Sequence, residues 1–184
     1  LLLCSRRSYG QPKPIGQNTL VLWPLRDDLT PYDPTPLRFT KSFPGEQWED
    51  PRLCLLNKRL FVSLTNFKVQ DYMAHQLLAR VSFPFCDVAH PCYGNNSLSM
   101  TRNLGNEKNW VWFDHKDGWH FVYHPWPHHV VRTTFGEPGC SYVADDTPCP
   151  WEYGEMRGGS PPVLHDGLYW SFFHSSLPAP VATS

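Results

Sequence analysis

An all-β fold built from repeated antiparallel hairpins, a β-propeller or part of one, is what this sequence predicts, on three observations. The first is composition: 19 Pro and 15% aromatic residues, including eight Trp, in a chain of 184 residues. Proline lacks the amide donor a helix interior needs, and ring side chains fit a pleated surface. The second is internal likeness. PRLCLLNKRLFVSLTN (51–66), NWVWFDHKDGWHFVYHP (109–125) and SPPVLHDGLYWSFFHS (160–175) can be laid over one another. Each runs from a polar or small-residue motif through an apolar strand and a turn to an aromatic-rich strand closed by a polar side chain. The third is spacing: Arg52 to Asn109 is 57 residues and Asn109 to Ser160 is 51. Sheet hairpins at a period of about 50 are the signature of propeller blades. A β-sandwich whose hairpins merely look alike is the other architecture the pattern allows.

Taken in order, the chain opens on Leu-Leu-Leu-Cys with neither a signal peptide nor a transmembrane run, as expected if an upstream segment is removed or missing. The first hairpin turns at Asn57-Lys58, the second at Lys116-Asp117-Gly118 and the third at Asp166-Gly167, all with good hairpin chemistry. Between the first two lies QDYMAHQLLARV (70–81), whose apolar residues fall at near-helical spacing but fit a strand equally. At this period the chain makes about three to four blades, fewer than most closed propellers hold. The expectation is one propeller domain or fragment over residues 1–184, completed by a missing chain segment or a partner subunit.

Charge excludes one class of partner. With 16 Lys+Arg against 17 Asp+Glu and no basic run longer than Arg6-Arg7, nothing here holds nucleic acid electrostatically. Six cysteines, Cys4, Cys54, Cys86, Cys92, Cys140 and Cys149, form an even set without the CxxC spacing of a zinc site. Cys86/Cys92 and Cys140/Cys149 each bracket a polar, Pro-containing stretch that a short disulfide would close, with buried thiols as the alternative. Asn95-Asn96-Ser97 is an N-glycosylation sequon, which agrees with a secreted or lumenal setting. The histidines of HPWPHH (His124, His128, His129) lack the Cys or carboxylate pattern that would complete a metal site, and none is expected.

In an antiparallel hairpin the start of the first strand lies beside the end of the second. In a propeller such rims face one funnel, which would gather Glu49, Asp50, Arg52, Asn66, Lys108, Asn109, His124, Ser160 and His174. Convergent polar groups beside aromatic walls make a small-ligand site. Trp48, Trp110, Trp112, Trp119 and Trp126 are available either as apolar faces for sugar C–H groups or as core.

EDPRL at 49–53, EKNW at 107–110 with WHFVYHP at 119–125, and RGGSPPVLHDGLYWSFFHS at 157–175 stand in order along the chain. Together they resemble the blade motifs of the five-bladed β-propeller mannoside phosphorylases and related mannosyltransferases. The resemblance implies inverting attack of inorganic phosphate on a β-mannosidic bond, or mannosyl transfer from a sugar-phosphate or nucleotide-sugar donor. It implies Asp50 as proton donor, relayed through a sugar hydroxyl, and Lys108, Asn109 and His174 as phosphate ligands. His124 stands where that family usually has Arg, and Lys108 offers a point charge in place of a guanidinium fork. Arg52 is expected to pair with Glu49 or Asp50 and hold the carboxylate in register. No other cofactor is implied. Two further readings stand beside this one: a non-catalytic propeller glycoprotein in an extracellular or lumenal assembly, and a secreted β-sandwich lectin. For EDPR itself the alternative role is a salt bridge at the start of a buried strand.

Overall fold

The structure, a computed structural model of the chain, describes residues 2–9, 17–39, 46–68, 73–83, 85–91, 109–116, 118–133, 140–145 and 149–177. They are all-β, with no helix among them. The chain divides into two compact units, Leu1–Asn109 and Trp110–Ser184.

In the first unit β1 (Leu2–Tyr9), β2 (Gln17–Pro24) and β3 (Thr35–Pro36) form a three-stranded antiparallel sheet. A five-stranded sheet follows: β4 (Arg38–Phe39), β5 (Glu46–Leu56), β6 (Arg59–Lys68), β7 (Met73–Ser82) and β8 (Phe85–Pro91), in the order β4-β8-β7-β6-β5. Only the short β4–β8 pairing is parallel. The stretch with ambiguous periodicity, 70–81, falls largely within strand β7. Its buried residues serve two faces there: Leu77 and Ala79 join the core shared with β2, while Gln76 and Leu78 are buried on the other side.

The turn between β5 and β6 shows why this hairpin forms. Asn57 and Lys58 both take positive φ, 49° and 58°, and Leu56 pairs directly with Arg59. Two left-handed residues in a two-residue loop match the right-handed twist of the flanking strands. The core of this unit joins Leu20 and Leu22 of β2 to Val62 and Leu64 of β6 and to Leu77 and Ala79 of β7. Burial along β6 is unbroken from Phe61 to Thr65, so both its faces are covered. The second face is partly polar: Ser63 Oγ donates to Gln76 Oε1 at 3.1 Å, and Gln76 Nε2 donates to Thr65 Oγ1 at 2.7 Å. Each buried polar group thereby keeps a partner, which it needs once removed from water.

The second unit holds a four-stranded antiparallel meander of β9 (Val111–His115), β10 (Gly118–His124), β11 (His128–Thr133) and β12 (Cys140–Asp145). Then come β13 (Glu155–Gly158), the hairpin of β14 (Val163–His165) and β15 (Leu168–Trp170), and β16 (Phe173–Ser176), which pairs back onto β13. As with β6, the middle of β10 is buried on both faces, from Trp119 to Tyr123. Val122 packs with Val111 and Phe113 on one side. On the other, Phe121 stacks on Trp110 with ring centroids 4.5 Å apart and leans on Trp112 at 4.7 Å. A ring buried to this degree contributes about 2–3 kcal/mol through its area alone. Trp110, Trp112 and Trp119 are therefore core side chains, 2%, 3% and 8% exposed, and offer no face to a sugar.

Cys54 is a buried thiol and Cys149 an exposed free one, so Cys149 closes no loop to Cys140. Cys92 and Asn95 lie outside the described residues, as do the side chains of Cys4, Cys86 and Cys140. No helix among the described residues is long and apolar enough to cross a membrane.

Candidate functional site

The motif EDPR is built on a β-bulge. Pairing runs from Glu49↔Thr65 to Arg52↔Ser63, three steps along β5 against two along β6, so β5 carries one extra residue. Asp50 takes a φ of 50° there. Asp tolerates the left-handed region better than most residues, and Pro51 has no amide to leave unpaired in the disrupted ladder. The bulge re-aims the strand and leaves Asp50 exposed while Glu49, Pro51 and Arg52 are half-buried.

Arg52 then ties two motifs together. Its Nη1 donates to the backbone carbonyl of Asp50 at 3.1 Å, and its Nη2 donates to Oδ1 of Asn109 at 2.9 Å. Asn109 is also left-handed, with φ 68°, and only 7% exposed. One guanidinium fork thus bridges two positive-φ residues, Asp50 and Asn109, the second of them 57 positions from Arg52 itself. Burial pulls the Arg52 guanidinium below its ordinary value, and the charge of Asp50 opposes that shift. Because Oδ1 of Asn109 faces Arg52, its Nδ2 hydrogens are turned elsewhere as donors. The sequence predicts a grip on the carboxylate of Glu49 or Asp50; these two bonds run to Asp50's backbone and to a distant carboxamide.

Each hairpin does bring the start of its first strand beside the end of its second. Trp48 pairs with Asn66, and Glu49 with Thr65. The Trp110 ring lies 5.5 Å from that of Tyr123, next to His124. In the third motif the amides of Gly159 and Ser160 both donate to the carbonyl of Phe172, and Ser160 Oγ accepts from the Phe172 amide at 2.9 Å. A Cβ on Gly159 would lie 2.6 Å from that carbonyl oxygen, so the close approach requires glycine. Sequence reading missed this lock, although GGS ahead of two prolines is the signal for it.

His124, the last residue of β10, is half-buried beside a second bulge, where Tyr123 is the extra residue. Its ring meets Tyr123 edge-on at 4.5 Å and lies 5.9 Å from the ring of His129. Its pKa is lowered from 6.5 by burial first and by His129 second, with Glu155 opposing. A neutral imidazole can exchange hydrogen bonds with a hydroxyl but is no fixed cation for phosphate. The unfolded chain binds more protons here on acidification, so stability held by the neutral ring is fully present above about pH 6.5 and is lost as pH falls through the lower folded value. His124→Asn should therefore flatten the fall in thermal midpoint between about pH 7 and pH 5. An unchanged slope in melts followed by near-UV circular dichroism would refute this.

His174 sits exposed on β16 opposite Arg157, whose guanidinium is held by Glu155 at 2.8 Å. Lys108 and the side chain of Asn66 lie outside the described residues. The structure accordingly joins Asp50, Arg52 and Asn109 in the first unit and places His124, Ser160 and His174 in the second. Among the described residues no three His, Cys, Asp or Glu side chains are grouped to hold a metal ion. The fold and this arrangement define an all-β protein with polar residues gathered at hairpin ends. No family model matches the chain, nor does any curated protein or solved structure.

Proposed function

We propose that the chain is a carbohydrate-active protein of β-propeller architecture, a phosphorylase-like or glycosyltransferase-like enzyme of mannosides or related glycosides. The observation carrying this reading is the Arg52–Asn109 bond, which joins the opening motifs of two hairpins beside an exposed Asp50. The propeller draws support from two antiparallel sheets, β5–β8 and β9–β12, whose second strands are buried on both faces. Blades stacked between neighbours have that pattern.

Within this reading Asp50 gives its proton, through a sugar hydroxyl, to the leaving glycosidic oxygen. A phosphate oxygen attacks the anomeric carbon from the opposite face, forming the new C–O bond as the old one breaks. Phosphate is already an anionic nucleophile, so the second carboxylate of an inverting hydrolase is not needed. Lys108 and Asn109 would hold the phosphate, and Glu49 and Asn66 would meet sugar hydroxyls. Action in the secretory lumen or outside the cell rests on the Asn95 sequon.

The neutral state favoured at His124 supports a second reading: a propeller glycoprotein that binds sugar without turning it over. The test is to incubate the purified chain with β-mannosides, with and without inorganic phosphate or a nucleotide-sugar donor. Release of a sugar 1-phosphate, or transfer of a mannosyl group, is the expected result. Sugar binding without turnover would favour the second reading, and neither binding nor turnover would end both.

A further inference from the structure

The sheet of β13 and β16 is held in place by little apolar area. Of the four residues in each strand, only Met156 and Gly158 are buried. Two strands alone are marginal, so such a sheet depends on what it packs against. Here β13 packs against β10. At the end of β10, His124 pairs across the strands with His129 of β11, both half-buried, their ring centroids 5.9 Å apart. From β13 the charge of Glu155 bears on His124. That carboxylate is already engaged, because Arg157 Nη2 and Nε donate to its Oε2 at 2.8 and 3.2 Å. Pleating sets Glu155 and Arg157 on one face of their sheet with the cross-strand partners Ser176 and His174. The groups bearing on His124 are therefore His129 from β11 and Glu155 from β13, with Arg157 and His174 beyond Glu155. His128, also on β11, is exposed and has its Nδ1 3.3 Å from the Pro125 carbonyl.

Acid adds only cations to this seam, since histidine is the side chain that gains charge just below neutral pH. Protonating His124 and His129 sets like charges opposite each other across two strands, which is destabilising. Glu155 draws His124 toward its charged form, but burial and His129 oppose it and prevail. A histidine that is harder to protonate in place than in water stabilises the packed arrangement fully above its free range. That stability is lost as pH falls through the lower packed value. A second fastening uses no charged group: the Tyr169 hydroxyl donates to the Asp114 carbonyl at 2.7 Å and ties the β14–β15 hairpin to β9. His115 Nδ1 lies 3.2 Å from the same hydroxyl. Because β14 and β15 lie between β13 and β16 in the chain, these two fastenings hold opposite parts of one segment.

We propose that the β13–β16 sheet is an acid-released flap: protonation of the His124–His129 pair parts it from the end of β10, while Tyr169 keeps the enclosed hairpin on β9. The proposal stands independently of the sugar chemistry. Hydrogen exchange of the full chain, corrected for intrinsic rates, tests it between about pH 7 and pH 5. Protection of the β13 and β16 amides should fall at least about three-fold relative to that of β9 and β10. His124→Asn combined with His129→Asn should remove this fall. Should that pair fail to fold, His129→Asn alone should move the fall to lower pH, because the like-charged neighbour is gone. Glu155→Gln should move it to higher pH, because the one opposing charge is lost. His165→Asn, on an exposed side chain of β14, should leave it unchanged. Constant relative protection of β13 and β16, their loss in step with β9 and β10, persistence of the fall in the double variant, or a shift to lower pH in Glu155→Gln would each overturn the proposal.

Discussion

If the proposed reaction is the chain's own, Asp50→Asn should cut turnover by roughly 10²–10⁴-fold, as for loss of a proton donor, while leaving the thermal midpoint within about 2 °C of the parent. The two halves of this prediction have separate physical causes. Asn lacks the ionisable proton, so it cannot protonate a leaving oxygen. It does accept the left-handed conformation Asp50 adopts at φ 50°, so the bulge survives. The side chain is exposed, and the contact between Asp50 and Arg52 Nη1 uses the backbone carbonyl, which Asn retains. Asp50→Val is the matching control for structure. A β-branched residue at this φ costs about 1–2 kcal/mol, so it should lower stability where Asn does not. Turnover retained in Asp50→Asn, or a stability loss equal to that of Asp50→Val, would remove Asp50 from the chemistry.

Much of the fold can be read from the chain because hairpin turns are local. Asn57-Lys58 and Asp166-Gly167 sit in two-residue loops with positive φ throughout, and turn chemistry alone marks them. Residues 70–81 could not be decided locally. Leu77, Leu78 and Ala79 are consecutive and all buried, a pattern that appears only when neighbouring layers cover both faces of a strand. The same double burial explains why Trp110, Trp112 and Trp119 are core, the role the sequence favours for each Trp without showing which face is covered. Which side of a sheet is covered is a tertiary fact. Period and composition state that aromatic side chains are present, not what lies across from them.

The candidate site divides along the same line. EDPR and KNW stand out as clusters of polar residues ahead of apolar strands, and the hairpin argument rightly sets each beside the end of its own second strand. The bulge is not visible in this way, because an extra residue in a strand changes register without changing composition. Once Asp50 is left-handed, its carbonyl turns toward Arg52, and the guanidinium still has an arm for Asn109. Arg52 acts as a clasp between two left-handed backbone positions.

That role makes Arg52→Ala a costly change, about 3 kcal/mol in denaturant unfolding. Two acceptors lose a charged donor, and a hydrogen bond to a charged group is worth about 1.5–3 kcal/mol. The Asn109 carboxamide is affected most, since its residue is buried and its Oδ1 would lose the guanidinium contact. Arg52→Lys should recover only part of the loss. A single ammonium keeps the charge but lacks the planar fork that reaches both oxygens. A double-mutant cycle with Asn109→Gly isolates the bond, because glycine removes the side chain and accepts the φ of 68° without strain. Coupling of about 1–3 kcal/mol is expected for a contact of this kind, and a value below about 0.5 kcal/mol would show that the two motifs are merely neighbours. The cycle also separates positioning from chemistry. In Asn109→Gly the bulge remains, so Asp50 keeps its place while the Nδ2 donors are gone. Sugar or phosphate affinity should then fall with little change in the pH profile of turnover, whereas Arg52→Ala should disturb both.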